Sequence, residues 1–548
     1  MTGDADMTDT RSRIAVALSA TLLAACGGGG GGGTPAPVVT APPPPPVSSA
    51  PGLLFREVAS ARGLEHASGF SADYKGMPSL FAGGAAVGDV DGDGDLDLFI
   101  LRGDARPNML MLNNGEGGFT DATPAALALP GPDSTNLKLS GPLLADLDGD
   151  GALDLFAGGL AGDPSLVFRG DGRGGFTRVS TALDSLTSAN TVSASLGDYD
   201  GDGDPDLALA HWGTPRNGST DTETLWRNDG GFVFTSASDA SGLSAALNTT
   251  ADGKLGTGFD YSFAPNFADI NRDGDLDLLL VSDFGATQVF QSEGDGTFTD
   301  VTDPTQITDS NGMGTDVGDV NGDGTPDWFV SSINGNRLYR SVDGTLIGQG
   351  SRGLEAGAWG WGSCMADFDL DGDLDIYQTN GWVEDAGASP QEPYTADRSR
   401  LWLNDGSANY TDVADAAGLR DEVQGRAVVC ADFDGDLDTD ILLLVNGSET
   451  GALLWENRIA GADALSVRVD GPDGGEALGA KLTLSTAAGT QTRWVRAGTT
   501  FTAQTPPWHV FGTEGTAVND LRVDWPDGQT VTVNDIAPGD RLRIGYPD

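Results

Sequence analysis

Apolar residues in this chain come in short runs, not at helical spacing. LDLFIL, LDLFAG, PDLALA, LDLLLV, PDWFVS, LDIYQT and TDILLLV each read as a strand buried on both faces. They recur 48 to 71 residues apart, a period at which repeated arrays come before any other fold. Ahead of each lies a strand of small residues, such as GGAAVGD, GPLLAD or GRAVVCAD. Behind each comes a second pairing segment, a Gly-rich hairpin turn and a short closing strand. The closing strand recurs at Phe119, Phe176, Phe234, Phe298 and Tyr410, with a weaker form near Leu346. Four strands, A to D, repeated seven times predict an all-β, seven-bladed β-propeller.

The last repeat stops early. It has a C strand, Leu453-Leu454-Trp455-Glu456-Asn457, but no D strand after it. Ahead of the first repeat, Phe55-Arg56-Glu57-Val58 matches Tyr410-Thr411-Asp412-Val413. The N-terminal strand is therefore expected to complete the last blade, leaving no unpaired edge at the seam.

Between strands A and B every repeat carries nine residues of the form D-x-[DN]-x-D-x-x-x-D. Carboxylates crowded at alternate positions raise one another's pKa unless a cation sits among them. Oxygen ligands with a glycine turn suit calcium, and no His or Cys lies inside any loop to suit zinc or copper. An EF-hand is excluded, because position 12 of the first copy is Ile100 and the flanks are not helical. The expected ligand positions are 1, 3, 5 and 9 through side chains and 7 through its backbone carbonyl. They are Asp89, Asp91, Asp93, Asp95 and Asp97 in the first loop and Asp146, Asp148, Asp150, Ala152 and Asp154 in the second. The third and fourth loops supply Asp198, Asp200, Asp202, Asp204, Asp206 and Asp269, Asn271, Asp273, Asp275, Asp277. The fifth and sixth supply Asp319, Asn321, Asp323, Thr325, Asp327 and Asp367, Asp369, Asp371, Asp373, Asp375. The seventh supplies Asp432, Asp434, Asp436, Asp438 and Asp440. About five to seven calcium ions are expected. The fourth and fifth loops should bind more weakly, with Asn271, Asn321 and Thr325 in place of carboxylates. Leu437 stands where the other loops have glycine and, resisting positive φ, should alter the seventh.

The net charge of −51 sharpens this picture. The loops hold 31 of the 81 acidic residues, and such a chain is a poor ligand for nucleic acid or anionic lipid. The N-terminus reads as an export signal, residues 1–26. Arg11 and Arg13 precede an apolar stretch from Ile14, and Leu23-Ala24-Ala25-Cys26 has the form of a bacterial lipobox in which Cys26 is lipidated. Seven glycines and a Pro-rich stretch, residues 27–51, follow as a tether. The expected place is the bacterial cell envelope, with outer-membrane export expected from Gly27 and membrane contact only through the lipid. Cys364 and Cys430 precede their calcium loops by three and two residues. That one-residue offset favours two buried thiols over a disulfide.

The repeats resemble the FG-GAP or VCBS repeats of integrin α-subunit propellers and their bacterial relatives. The remainder resembles the ASPIC/UnbV domain of cartilage acidic protein-like proteins, through LGAKLTLSTAAGTQTRWV, HVFG at His509 to Gly512, and LRVDWPDGQTVTV from Leu521. It departs at GGEALGA, Gly474 to Ala480, which lacks the Asn-Arg pair often found there. The resemblance implies a calcium-stabilised extracellular propeller over residues 52–457 and a small C-terminal β domain over 458–548, without implying an activity.

Insertions fall in the B–C and D–A connections, at His211–Thr224, Ser241–Asn266 and Gly381–Ser399. These share the face opposite the calcium loops, where binding residues are expected. The candidate ligand residues there are His211, Trp212, Tyr261, Trp359, Trp361, Trp382 and Tyr394. His66, His211 and His509 are far apart in sequence, and no nucleophile elbow, HExxH or phosphate loop is present. The expectation is an adhesion or ligand-binding module for a protein or glycan. The alternative is a polysaccharide-acting hydrolase or lyase using a pair of aspartates.

Overall fold

The computed structural model describes residues 52–547, apart from 70–80, 129–136, 187, 216–222, 248–258, 334, 382–393, 395–396, 446–450, 460–462, 499 and 514. Cys26, the export signal, the tether and Trp382 lie outside the described residues.

The chain forms an all-β propeller. Among the described residues there are seven sheets of four antiparallel strands in A-B-C-D order. The first holds Gly84–Gly88, Asp97–Leu101, Met109–Asn113 and Phe119–Asp121. In the fifth, the weak closing strand near Leu346 is Thr345–Gly348. The seventh sheet is completed from the other end of the sequence, since Phe55–Glu57 pairs antiparallel with Ala452–Asn457, with Phe55 opposite Asn457. The A strands of successive sheets pack against one another, and that of the seventh, Gly425–Ala431, packs against that of the first. The apolar B strands are buried along their whole length, as in Asp97–Leu101 and Asp440–Val445. Cores form between neighbouring sheets, as where Val87 and Leu98 of the first meet Val429 and Leu442 of the seventh.

The C-terminal strands form two further sheets. Lys481–Thr486 lies between Thr490–Trp494 and Val518–Asp524, and the latter pairs with Thr530–Val533. Ala464–Val469 lies between His509–Gly512, antiparallel, and Arg541–Ile544, parallel. The two sheets close on a core of Leu465, Val467, Leu482, Leu484, Phe511, Leu521 and Val523.

Between Thr490–Trp494 and His509–Gly512 the chain leaves this domain and enters the centre of the propeller as a finger. Ala497–Gly498 adds a fifth strand to the third sheet, pairing with Ser195 and Leu196. The Thr502 carbonyl accepts from the Ala85 N–H at 3.2 Å, and the Thr500 carbonyl from the Thr315 N–H at 2.9 Å. The Gln504 amide bonds both backbone groups of Leu144, donating at 2.7 Å and accepting at 2.8 Å. The finger thus bonds the A strands of the first, second, third and fifth sheets. It also gives a reason for the small residues of those strands. A Cβ on Gly84 would lie 2.0 Å from the Thr502 carbonyl oxygen, and one on Gly314 2.8 Å from that of Thr500.

Cys364 and Cys430 are bonded to each other, with Cα atoms 6.3 Å apart, which corrects the expectation of two thiols. They lie on A strands of adjacent sheets, Gly360–Ala366 and Gly425–Ala431. Residues that meet across two stacked sheets must point from opposite faces of their own strands. The one-residue offset is therefore the parity that bridging requires.

Candidate metal centres

The seven loops share one hydrogen-bonded frame. In the first, Asp89 accepts the N–H groups of Gly92 and Gly94 at 2.8 and 3.0 Å, and Asp93 accepts that of Asp95 at 3.0 Å. Asp97, fully buried, accepts the N–H of Val90 on one oxygen and of Asn113 on the other, both at 2.9 Å. Asp154, Asp206, Asp277, Asp327, Asp375 and Asp440 each make the same pair of bonds, to position 2 of their own loop and to the end of strand C. Each ninth-position aspartate therefore pins its loop to its sheet and faces the other carboxylates. Several seventh-position side chains point elsewhere. Those of Asp95, Asp275 and Asp373 lie against the hairpin glycines Gly115, Gly294 and Gly406, which leaves the backbone carbonyl as the ligand that position can offer.

Carboxylate oxygens converge within 4.8 Å of one another in five loops. The groups are Asp89, Asp91 and Asp97; Asp146, Asp148 and Asp154; Asp198, Asp200 and Asp206; Asp367, Asp369 and Asp371; and Asp432, Asp434 and Asp436. Burial pushes several carboxyls of these loops up, with like charges adding to it. Asp97, Asp154 and Asp367 rise to about 7, and Asp206 to about 9. Asp438 rises to about 9 through burial and the neighbouring Asp436. A hard cation among these oxygens relieves both causes, and the donor set of four carboxylates and one carbonyl in each of these five loops fits calcium.

The fourth and fifth loops are built differently. Asn271 donates to Asp273 at 2.6 Å and Asn321 to Asp323 at 3.0 Å. Arg340 also bonds Asp323 at 3.0 Å. The asparagine amide thus takes up an oxygen of the position-5 carboxylate in both loops, while in the second and seventh loops arginines reach carboxylates instead, Arg169 at Asp148 and Asp150 and Arg62 at Asp434. Leu437 adopts φ 72°, the left-handed backbone that glycine adopts at this position in the other loops, so the seventh loop keeps the shared turn. The compensation is contact: Leu437 and Leu370, also at positive φ, pack with Ala464 and, more peripherally, Ile459 and Val510. These leucines anchor the C-terminal domain on the loop face. Lys481 reaches the Gly324 carbonyl at 3.0 Å, Arg541 the Gly94 carbonyl at 3.2 Å, and the Gly512 N–H donates to Asp367 at 2.8 Å.

Asparagines at the ends of C strands tie neighbouring sheets together. Asn113 donates to the Phe433 carbonyl at 2.9 Å, Asn228 to Leu147 at 2.9 Å, Asn404 to Val320 at 2.8 Å and Asn457 to Phe368 at 3.0 Å. The sequence carries their signal in LNN, RND, LND and WEN. The finger has no comparable signal.

On the opposite face the candidate aromatics divide. His211, Trp359 and Trp361 are buried, which removes them as ligand-facing residues. His211 bonds the Glu223 carbonyl at 3.1 Å, and Trp361 donates to the Gly381 carbonyl at 2.8 Å. The Trp361 ring packs on Phe501 at the finger tip, centroids 5.3 Å apart, beneath Phe81 and Phe263. Trp212, Tyr261 and Tyr394 are half-buried. Tyr261 meets the exposed Phe284 edge-on at 4.7 Å and stacks near Phe259, two aromatics that the sequence reading passed over. Two acids lie beside them. Asp283 accepts from Asn311 at 2.7 Å and Trp212 at 3.4 Å, and Asp309 accepts from Thr287 at 2.7 Å and Tyr339 at 3.1 Å. Both are buried braces in this bonding.

The family model for FG-GAP-like repeats matches residues 89–157, 146–209, 269–330 and 319–377, and that for ASPIC and UnbV matches 472–548. The chain is 25% identical over 519 residues to cartilage acidic protein 1 of Xenopus tropicalis, covering 87% of this chain and 75% of the relative. With the Homo sapiens protein of the same name it is 26% identical over 511 residues, covering 87% and 74%. Among solved structures, an Agrocybe aegerita lectin that recognises non-reducing terminal N-acetylglucosamine aligns at TM-score 0.42 and 17% identity, over 69% of this chain and 94% of that one. Rhamnogalacturonan lyase YesW aligns at TM-score 0.37 and 14% identity, over 73% and 75%. Scores this low transfer nothing from either protein.

Proposed function

We propose that this chain, built of FG-GAP-like repeats followed by an ASPIC and UnbV domain, is a calcium-ordered seven-bladed propeller that works as an adhesion or ligand-binding module for a protein or glycan. The observation that carries the reading is the frame common to all seven loops, with three carboxylates converging in five of them. Positions 1, 3, 5 and 9 hold the ion through side chains and position 7 through its carbonyl. Calcium supplies the charge that lets these buried carboxylates stay ionised together. Its role is structural, with affinity on the order of 10⁻⁵–10⁻³ M, as in weaker sensor and extracellular modules. Lipidation at Cys26 would hold the module at a bacterial envelope.

The half-exposed Trp212 and Tyr261, with Phe259 and Phe284, support a binding face on the other side. Aromatic rings beside polar loops stack on sugars and anchor protein partners.

The test of the metal assignment is Asp91→Ala combined with Asp93→Ala. It is expected to remove one calcium per chain and lower the melting temperature in calcium without abolishing the fold. Unchanged calcium content and melting would overturn the ligand set.

A further inference from the structure

The centre of the propeller is not filled solidly. Where the finger passes the A strands of the sixth and seventh sheets, a cavity of about 80 Å³ remains beside the Cys364–Cys430 bridge. Arg493, Arg496, Trp508 and His509 of the C-terminal domain line it. Nη2 of Arg493, Nε and Nη1 of Arg496 and Nε1 of Trp508 are buried donors there without a hydrogen-bond partner, and Nε2 of His509, whose role follows from its tautomer, is unpartnered too. The side chains are fixed by their other contacts. Arg496 Nη2 holds Asp316 at 2.7 Å, Arg493 Nη1 donates to the Thr492 carbonyl at 3.0 Å, and the Arg541 guanidinium lies 4.4 Å over the Trp508 ring. Arg493 is only 8% exposed. Burial and the two guanidinium groups hold His509 neutral, far below its ordinary pKa, at about 3.

A buried N–H with no acceptor gives up its bond to water and gains nothing in return. Acceptors around this cavity are already engaged. Asp316 accepts from Arg496, Val317 and Met365, and Asp432 from the N–H groups of Gly435, Asp436 and Leu437. Among the described side-chain carboxylates of its lining, Oδ1 of Asp367 stands open, and it belongs to the sixth metal loop. A water molecule accepts only two hydrogen bonds, fewer than the four N–H groups of Arg493, Arg496 and Trp508, and has two hydrogens of its own to place. An occupant that only accepts fits the donors without that requirement.

We propose that this cavity binds a small inorganic anion of chloride or bromide size. The site goes beyond the calcium reading but rests on it at one point. With cations on Asp367 and Asp432, Arg493 lacks a counter-charge, whereas empty loops would repel an anion.

The probe is sodium bromide exchanged for sodium gluconate at fixed ionic strength, on the whole protein in excess calcium. Gluconate is too large for the cavity. The melting temperature is expected to rise with bromide and saturate, and crystals grown in bromide to show an anomalous peak within hydrogen-bonding reach of Trp508 Nε1. Trp508→Phe keeps the ring and removes one donor, and should weaken the bromide effect about tenfold. Identical melting in both salts, with waters in place of the anomalous peak, would overturn the proposal. Calcium content measured by emission on the same samples shows separately whether the metal reading has failed.

Discussion

The two faces of the propeller follow different rules. The loop face repeats one frame seven times, an aspartate that caps the turn and a buried aspartate that pins it to the sheet, with three carboxylates converging in five of the copies. On the opposite face each contact occurs once. Phe501 meets Phe81, Phe263 and Trp361, partners 140 to 420 residues away in sequence. Repetition makes the first face readable in sequence, because charge crowding and strand burial imprint every copy. The second is held by packing, which leaves no periodic trace. The finger joins the two, since it starts in the domain seated on the loops and ends among the aromatics.

Phe501→Ala attacks that junction and should have the largest effect. Phe501 is fully buried, and removing a ring from such a site costs about 3–5 kcal/mol. Denaturant unfolding should register the loss, and limited proteolysis should show faster cleavage within 495–508, while calcium content stays unchanged. A loss of calcium alongside would mean that the faces are not independent in the way described.

An intermediate effect is expected from pH, and only on the loop face. In metal-free protein the ninth-position carboxyls are raised by burial, with Asp97, Asp154, Asp277 and Asp327 at about 7 and Asp206 at about 9. A raised carboxyl favours the folded state while protonated. That stability is present below the unfolded value near 4 and is lost as pH climbs through about 7 to 9. Chelated protein should therefore melt higher at pH 5 than at pH 8. Calcium competes with the same protons, so its stabilisation should grow over that range. Melting curves at both pH values, with and without chelator, test the crossing.

The smallest effect belongs to Leu437→Gly. Glycine relieves a left-handed leucine, worth roughly 1–2 kcal/mol, but gives up a buried side chain worth about 1.5–3 kcal/mol. Stability should fall by about 1 kcal/mol or less, with the calcium content of the seventh loop retained. A larger loss would make the contact with Ala464 and Val510 more important than the turn.

Much of the fold was legible because its signals recur. The apolar B strands and the Phe55 strand that completes the seventh sheet could be placed from sequence, as could the loops themselves. Leu437 showed as a break in a pattern, but its reason, a contact with a strand across the molecule, lies outside the repeat. The cysteines were misread because the parity rule was applied within one sheet when the bridge spans two. Trp359 and Trp361 looked available because nothing in sequence announces the finger that covers Trp361.

Calcium counting by emission, paired with melting in calcium and in chelator, tests the central claim most directly. The account predicts five to seven ions per chain and a large fall in melting temperature on chelation. One ion or none, with an unchanged melt, would contradict it.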